Sequence, residues 1–137
     1  MKNKSLQVVE SDPNETRKMF IERCLKKGLT IKIPAANELQ IDIDCEAHYE
    51  QYKRSSAIFF REVQAQYGPS SFEIEEHFSK SGPPRRHITI KLPWDITTSW
   101  ERIAWQAALG SDSVRELLSA VRYSRDDEVP TLFAELL

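Results

Sequence analysis

Hydrophobic and polar residues alternate along Leu39-Gln-Ile-Asp-Ile-Asp44. A period of two describes a strand with one buried face. Leu39, Ile41 and Ile43 belong to one face, and Gln40, Asp42 and Asp44 to the other. The period then changes. Tyr49, Tyr52, Ser56, Phe59 and Val63 recur every three or four residues, which predicts a helix over about 46–66 with that stripe toward the core. Tyr67-Gly-Pro-Ser-Ser71 breaks the pattern. Alternation returns in Phe72–Ser79 and again in Arg86–Leu92, with the turn-rich Lys80-Ser-Gly-Pro-Pro-Arg85 between them. Together they predict a hairpin with a long loop. In its second strand Ile88, Ile90 and Leu92 share one face, and His87, Thr89 and Lys91 the other.

The flanks carry weaker patterns. Residues 1–13 are polar and are expected to be flexible. A helix is predicted over about 14–27, with Asp12 or Asn14 as its cap, Pro13 near its start and Gly28 as its stop. Leu29–Ile33 reads as a short strand or as a linker ending at Pro34. Beyond the hairpin, Thr97 or Thr98 caps a helix over about 98–109, whose apolar face is Ile103, Ala104, Ala107 and Ala108. Gly110-Ser-Asp112 is a break, and Ser111 or Asp112 caps a second helix to about Tyr123 with the stripe Val114, Leu117, Leu118 and Val121. Val129–Phe133 reads as a final edge strand. The order predicts a single α+β domain over 1–137. Its expected form is an RRM- or ferredoxin-like antiparallel sheet with helices on one face. The other face is expected to be open and to carry Asp42, Asp44, His87 and Thr89.

Composition agrees with a globular domain: of 137 residues, 40% are hydrophobic and 29% charged. That excludes a disordered acidic tail, a collagen-like fibre and a disulfide mini-protein. No run approaches the roughly 18 apolar residues of a membrane helix. Residues 1–16 hold no apolar stretch of signal-peptide length, so a cytoplasmic protein without a membrane partner is expected. The net charge of −2 gives no bulk basic footprint, yet residues 1–33 hold 8 basic and 4 acidic side chains, against 11 and 17 in the remainder. Cys24 and Cys45 are too few for a zinc site and are expected to be free thiols.

Two features carry candidate chemistry. Asp42 and Asp44 would stand about 7 Å apart on one face of a strand. Carboxylates so placed repel unless a cation lies between them, and Mg²⁺ or Mn²⁺ prefers such oxygen ligands and bridges them to substrate phosphates. The second feature is Ser79-Lys-Ser-Gly-Pro-Pro-Arg-Arg-His87. Turn amides, the Arg85 and Arg86 guanidinium groups and the His87 imidazole can all bind phosphate oxygens.

In this order, hydrophobic-Asp-hydrophobic-Asp, a helix, then Ser-Gly-x-x-x-x-His opening a strand, the chain resembles the archaeo-eukaryotic primase superfamily of primases and primase-polymerases. The resemblance covers residues 39 to about 93. It implies a primase-polymerase-like core in which Asp42 and Asp44 hold divalent metal and His87, with Ser81 or Ser79, Gly82 and Arg85 or Arg86, holds nucleotide phosphate. A third carboxylate completes that family's metal site. Asp112 is the candidate, and it is equally placed as a helix cap. The implied activity is metal-dependent nucleotidyl transfer from NTP or dNTP on single-stranded or primer–template DNA. The alternative is a catalytically inert module of the same core that binds nucleic acid or protein in a replication or mobile-element system. Pro83, Pro84 and Arg86 stand where the family's second motif has glycine.

Overall fold

The computed structural model describes residues 6–8, 17–79, 82–126 and 133–136. Two three-stranded antiparallel sheets and four helices make an α+β fold. The elements are β1 (Leu6–Val8), α1 (Arg17–Lys26), β2 (Leu29–Lys32), β3 (Glu38–Ile43), α2 (Glu46–Tyr67), β4 (Glu73–Phe78), β5 (Arg86–Lys91), α3 (Ser99–Ala108), α4 (Ser113–Asp126) and β6 (Phe133–Leu136). The strands order as β1-β6-β2 in one sheet and β3-β5-β4 in the other.

The alternating segments build the second sheet. Leu39 pairs with Ile90 and Ile41 with Ile88 across the β3–β5 ladder, so apolar residues meet apolar residues on one face. Leu39, Ile41, Ile43, Ile88, Ile90 and Leu92 are buried there against Tyr52 and Leu109, with Tyr49, Phe59, Phe60 and Trp105 at the margin. Tyr52, Ser56 and Val63 are the buried residues of α2, as its periodicity predicts. The helix ends at Gly68, whose φ of 106° suits glycine.

Three expectations are corrected. Leu6–Val8 falls in the stretch expected to be flexible, yet it pairs with β6. Of the edge strand expected over Val129–Phe133, residues 129–132 lie outside the described residues; the strand that is described, β6 at Phe133–Leu136, is no edge, because it lies between β1 and β2 and pairs with both. The caps proposed at Asp12 and Asn14 lie outside the described residues. The third correction concerns the open face. Gln40, His87 and Thr89 are 1–3% exposed. The other sheet lies over them, and Gln40 Nε2 donates to the β2 carbonyl of Lys32 at 3.2 Å. Polarity on one strand face is therefore no sign of solvent here.

The helices α3 and α4 are also turned from their predicted faces. The buried residues of α3 are Arg102 and Gln106. In α4 they include Arg115, Glu116 and Ser119, while Val114, Leu117 and Val121 are about half exposed. The cause is the outer edge of β3. Its backbone groups at Glu38, Gln40 and Asp42 point away from β5 and need partners. Arg102 Nε donates to Glu38 O at 3.1 Å, and Gln106 Oε1 accepts from Gln40 N at 2.9 Å. Arg115 Nη1 donates to Gln40 O at 2.6 Å. Ser111 Oγ accepts from Asp42 N at 3.0 Å, and Asp112 N donates to Asp42 O at 2.7 Å. Polar side chains therefore take the place of a further strand. Gly110 lets the two helices meet α2, because a Cβ there would lie 2.9 Å from the His48 carbonyl oxygen and its φ is 93°.

Candidate functional site

The register brings Asp42, His87 and His77 into one row across β3, β5 and β4. His87 Nε2 stands 3.7 Å from Asp42 Oδ1. His87 is buried and Asp42 half-buried, with side-chain exposures of 3% and 15%. Burial pushes Asp42 up to about 6; the neighbouring Asp112 and Asp44 carboxylates add to this and Arg115 opposes it. Burial also drives His87 down to about 4, and the charges of Arg115 and His77 act in the same direction. Between those values both groups favour their neutral forms. In that range the pair is a carboxyl–imidazole contact rather than an ion pair. His77, at the rim, bonds Glu75 Oε1 at 2.9 Å.

Asp44 lies just past the end of β3 and is 3.0 Å from Arg85 Nε. Arg85 thus sits beside the Asp44 carboxylate at the mouth of the site. Asp112 is beside Asp42 through its backbone, while its own carboxylate caps α4 by accepting from Arg115 N at 3.1 Å. Of the two roles open to Asp112, the cap is the one formed. Arg86 is on the opposite face from His87, as alternation requires. It lies 3.5 Å from the Tyr49 ring centroid and 3.7 Å from Glu76 Oε1. The structure therefore brings Asp42, Asp44, Arg85, His87 and Asp112 to one end of the sheet and separates Arg86 from them.

The described amides of the hairpin loop are used within it. Gly82 N donates to Ser79 O, Arg85 N to Gly82 O, and Ser79 N to Arg85 O. Gly82 has a φ of 77°, which the turn requires. Ser81 lies outside the described residues. A phosphate at this loop would have to compete with the internal bonds of Ser79 and Gly82.

The donor set does not fit a divalent cation as it stands. Asp42 faces an imidazole inside the fold, Asp44 faces a guanidinium, and Asp112 serves a helix end. Among the described residues no three His, Cys, Asp or Glu side chains are gathered where a metal ion would sit. Cys24 is buried and Cys45 partly so, and no disulfide joins them.

Sequence reasoning missed the polar network behind Asp42. Glu116 Oε2 accepts from Ser111 Oγ at 2.7 Å and from Arg115 Nη1 at 2.8 Å, and Glu116 Oε1 accepts from Gln106 Nε2 at 2.9 Å. The spacing of Arg102 and Gln106, four residues apart on one helix face, was its only signal. Glu101 was missed as well. Its Oε2 accepts from both the Trp94 and Trp105 indoles, at 3.0 and 3.2 Å, and fixes two of the three tryptophans at the margin of the core. No family model, curated protein or solved structure matches the chain. No helix among the described residues is long and apolar enough to cross a membrane.

Proposed function

We propose that the chain is a binding module on a primase-like strand–helix–strand–strand core, and that it does not catalyse nucleotidyl transfer on its own. The observation that carries this reading is the commitment of the three carboxylates. Asp42 is half-buried against His87, Asp44 faces Arg85, and Asp112 caps α4. The face expected to receive a nucleotide is roofed by the second sheet. Nucleic acid is the partner class favoured by the charge distribution. Lys18, Lys26 and Lys27 are exposed on and just after α1, without an acidic partner among the described residues. Exposed lysines meet phosphates through salt-sensitive, sequence-independent contacts.

The test is fluorescence anisotropy of labelled single-stranded DNA across a salt series, beside primer extension with NTP or dNTP and Mn²⁺. Binding that weakens with salt, is lost in Lys26→Glu/Lys27→Glu and survives in Asp42→Asn is the expected result. Primer extension is expected to be blank.

One observation favours a second reading, that of a metal-dependent primase-type nucleotidyltransferase: Asp42, Asp44, His87 and Asp112 do converge at one end of the sheet. Calorimetric binding of a nucleoside triphosphate with Mn²⁺, abolished by Asp42→Asn, would establish that reading and overturn the first. It would require Asp44 to leave Arg85.

A further inference from the structure

The two edges of the β3-β5-β4 sheet are treated differently. The β3 edge is closed by the side chains of α3 and α4. The β4 edge is not. Antiparallel alternation turns the N–H and C=O of Ile74, Glu76 and Phe78 outward, because Glu73, Glu75 and His77 face β5. Among the described residues no hydrogen bond reaches those outward groups. Ile74 is 45% and Phe78 53% exposed beside them. An edge of this kind is a template for another strand.

We infer that β4 pairs antiparallel with β4 of a second copy of this chain, joining two three-stranded sheets into one. The sequence Glu73-Ile-Glu-Glu-His-Phe78 selects the occupant and the register. Centred on Glu76, a two-fold sets Ile74 opposite Phe78 of the second copy, twice. It also sets Glu75 opposite His77 of the second copy, twice. Apolar residues meet apolar residues and a carboxylate meets an imidazole. The one like-charged pair is Glu76 against its own copy, and Arg86 stands 3.7 Å from each of those carboxylates. Centring on Glu75 or on His77 instead places Ile74 or Phe78 opposite Glu76. The self-complementary register is therefore the Glu76-centred one, with about six main-chain hydrogen bonds across the two-fold. A foreign strand would need the same alternation by coincidence; a second copy has it by construction.

Sedimentation velocity on the full chain, from micromolar to near-millimolar concentration, tests this. The wild type is expected to shift from monomer to dimer. Glu76→Pro removes an outward N–H and no ladder bond, so it is expected to stay monomeric with an unchanged circular dichroism spectrum. Phe78→Lys, at an exposed position, is expected to weaken the dimer as well and serves if the proline variant does not fold. Glu76→Gln removes the like-charged pair and is expected to tighten the dimer about 2- to 5-fold. A wild type that stays monomeric throughout the series would overturn the inference. So would a dimer that persists in folded Glu76→Pro or Phe78→Lys.

Discussion

Replacing Asp42 by Asn separates a buried charge from a buried shape. The side chain is 15% exposed and meets His87 at 3.7 Å, while the backbone bonds that tie β3 to Ser111 and Asp112 do not involve it. Asn keeps the volume and removes the titration. Asp42 binds its proton more tightly in the fold, at about 6 against an ordinary value of 3.8. The folded state therefore holds the extra proton between those values, and stability is lost as pH rises through them. Above pH 6 the penalty is fully present and amounts to about 3 kcal/mol at most. Asp42→Asn is expected to be more stable than wild type at pH 7 by up to that amount, and equal to it below about pH 4. Urea unfolding of both proteins at intervals from pH 4 to 8, followed by circular dichroism, gives the difference directly. A variant that is less stable at pH 7 would refute the reasoning, because attraction between Asp42 and Arg115 would then outweigh desolvation. A difference that does not change with pH would refute it too.

His87 runs in the opposite direction. Its value falls from 6.5 to about 4, so its contribution is present above 6.5 and is lost as pH falls toward 4; His87→Gln is expected to flatten the acid limb of the stability profile measured by the same unfolding series. Arg115→Met leaves the Gln40 carbonyl and the Glu116 carboxylate without their shared cation and is expected to cost about 3–5 kcal/mol in urea unfolding. Gly110→Ala forces a Cβ to 2.9 Å from the His48 carbonyl oxygen at a φ of 93°, and thermal unfolding is expected to show a loss of about 1–3 kcal/mol. Glu101→Ala strips the acceptor from two indoles and is expected to shift tryptophan emission, with a stability cost of about 1–3 kcal/mol.

The segments legible in the sequence are those whose burial follows from apolar periodicity. The strand expected at Leu39–Asp44, the helix from Glu46 and the hairpin strands appear with nearly the expected bounds, and of the two threonines offered as a cap Thr98 is the one that serves. The shared face of Asp42 and His87 was legible for the same reason: a period of two fixes it whatever lies above. That period also put Arg86 on the other face, a consequence the motif resemblance overrode. What covers a polar face was not legible. Gln40, His87 and Thr89 look like solvent-facing residues until the short strands β1 and β2 are known to pack on that side, where β1 meets β5 and β2 meets Gln40. Hydrophobic pattern misled outright in α3 and α4. Their inward residues are polar because they face backbone, and a strand edge asks for donors and acceptors rather than for methyl groups.

That edge also links the site to the rest of the fold. Arg115 is 1% exposed and serves three acceptors at once: the Gln40 carbonyl, the Ser111 hydroxyl and the Glu116 carboxylate. Its charge also acts on both members of the buried pair, lowering Asp42 and lowering His87. A residue that closes the sheet thus adds, after burial, to the electrostatics of the row beside it. If Asp42 and Asp44 were to hold a cation, that cation would be added next to an arginine which cannot withdraw without uncovering β3. Repulsion from a fixed guanidinium would weaken the site. The same fixed positive charge favours an anionic group at the mouth, where Arg85 already lies 3.0 Å from Asp44. Substituting Asp44 by Asn should therefore free Arg85 for phosphate. DNA affinity in the anisotropy assay is expected to rise in that variant. A fall would mean that Asp44 contributes to binding through a cation, as the nucleotidyltransferase reading requires.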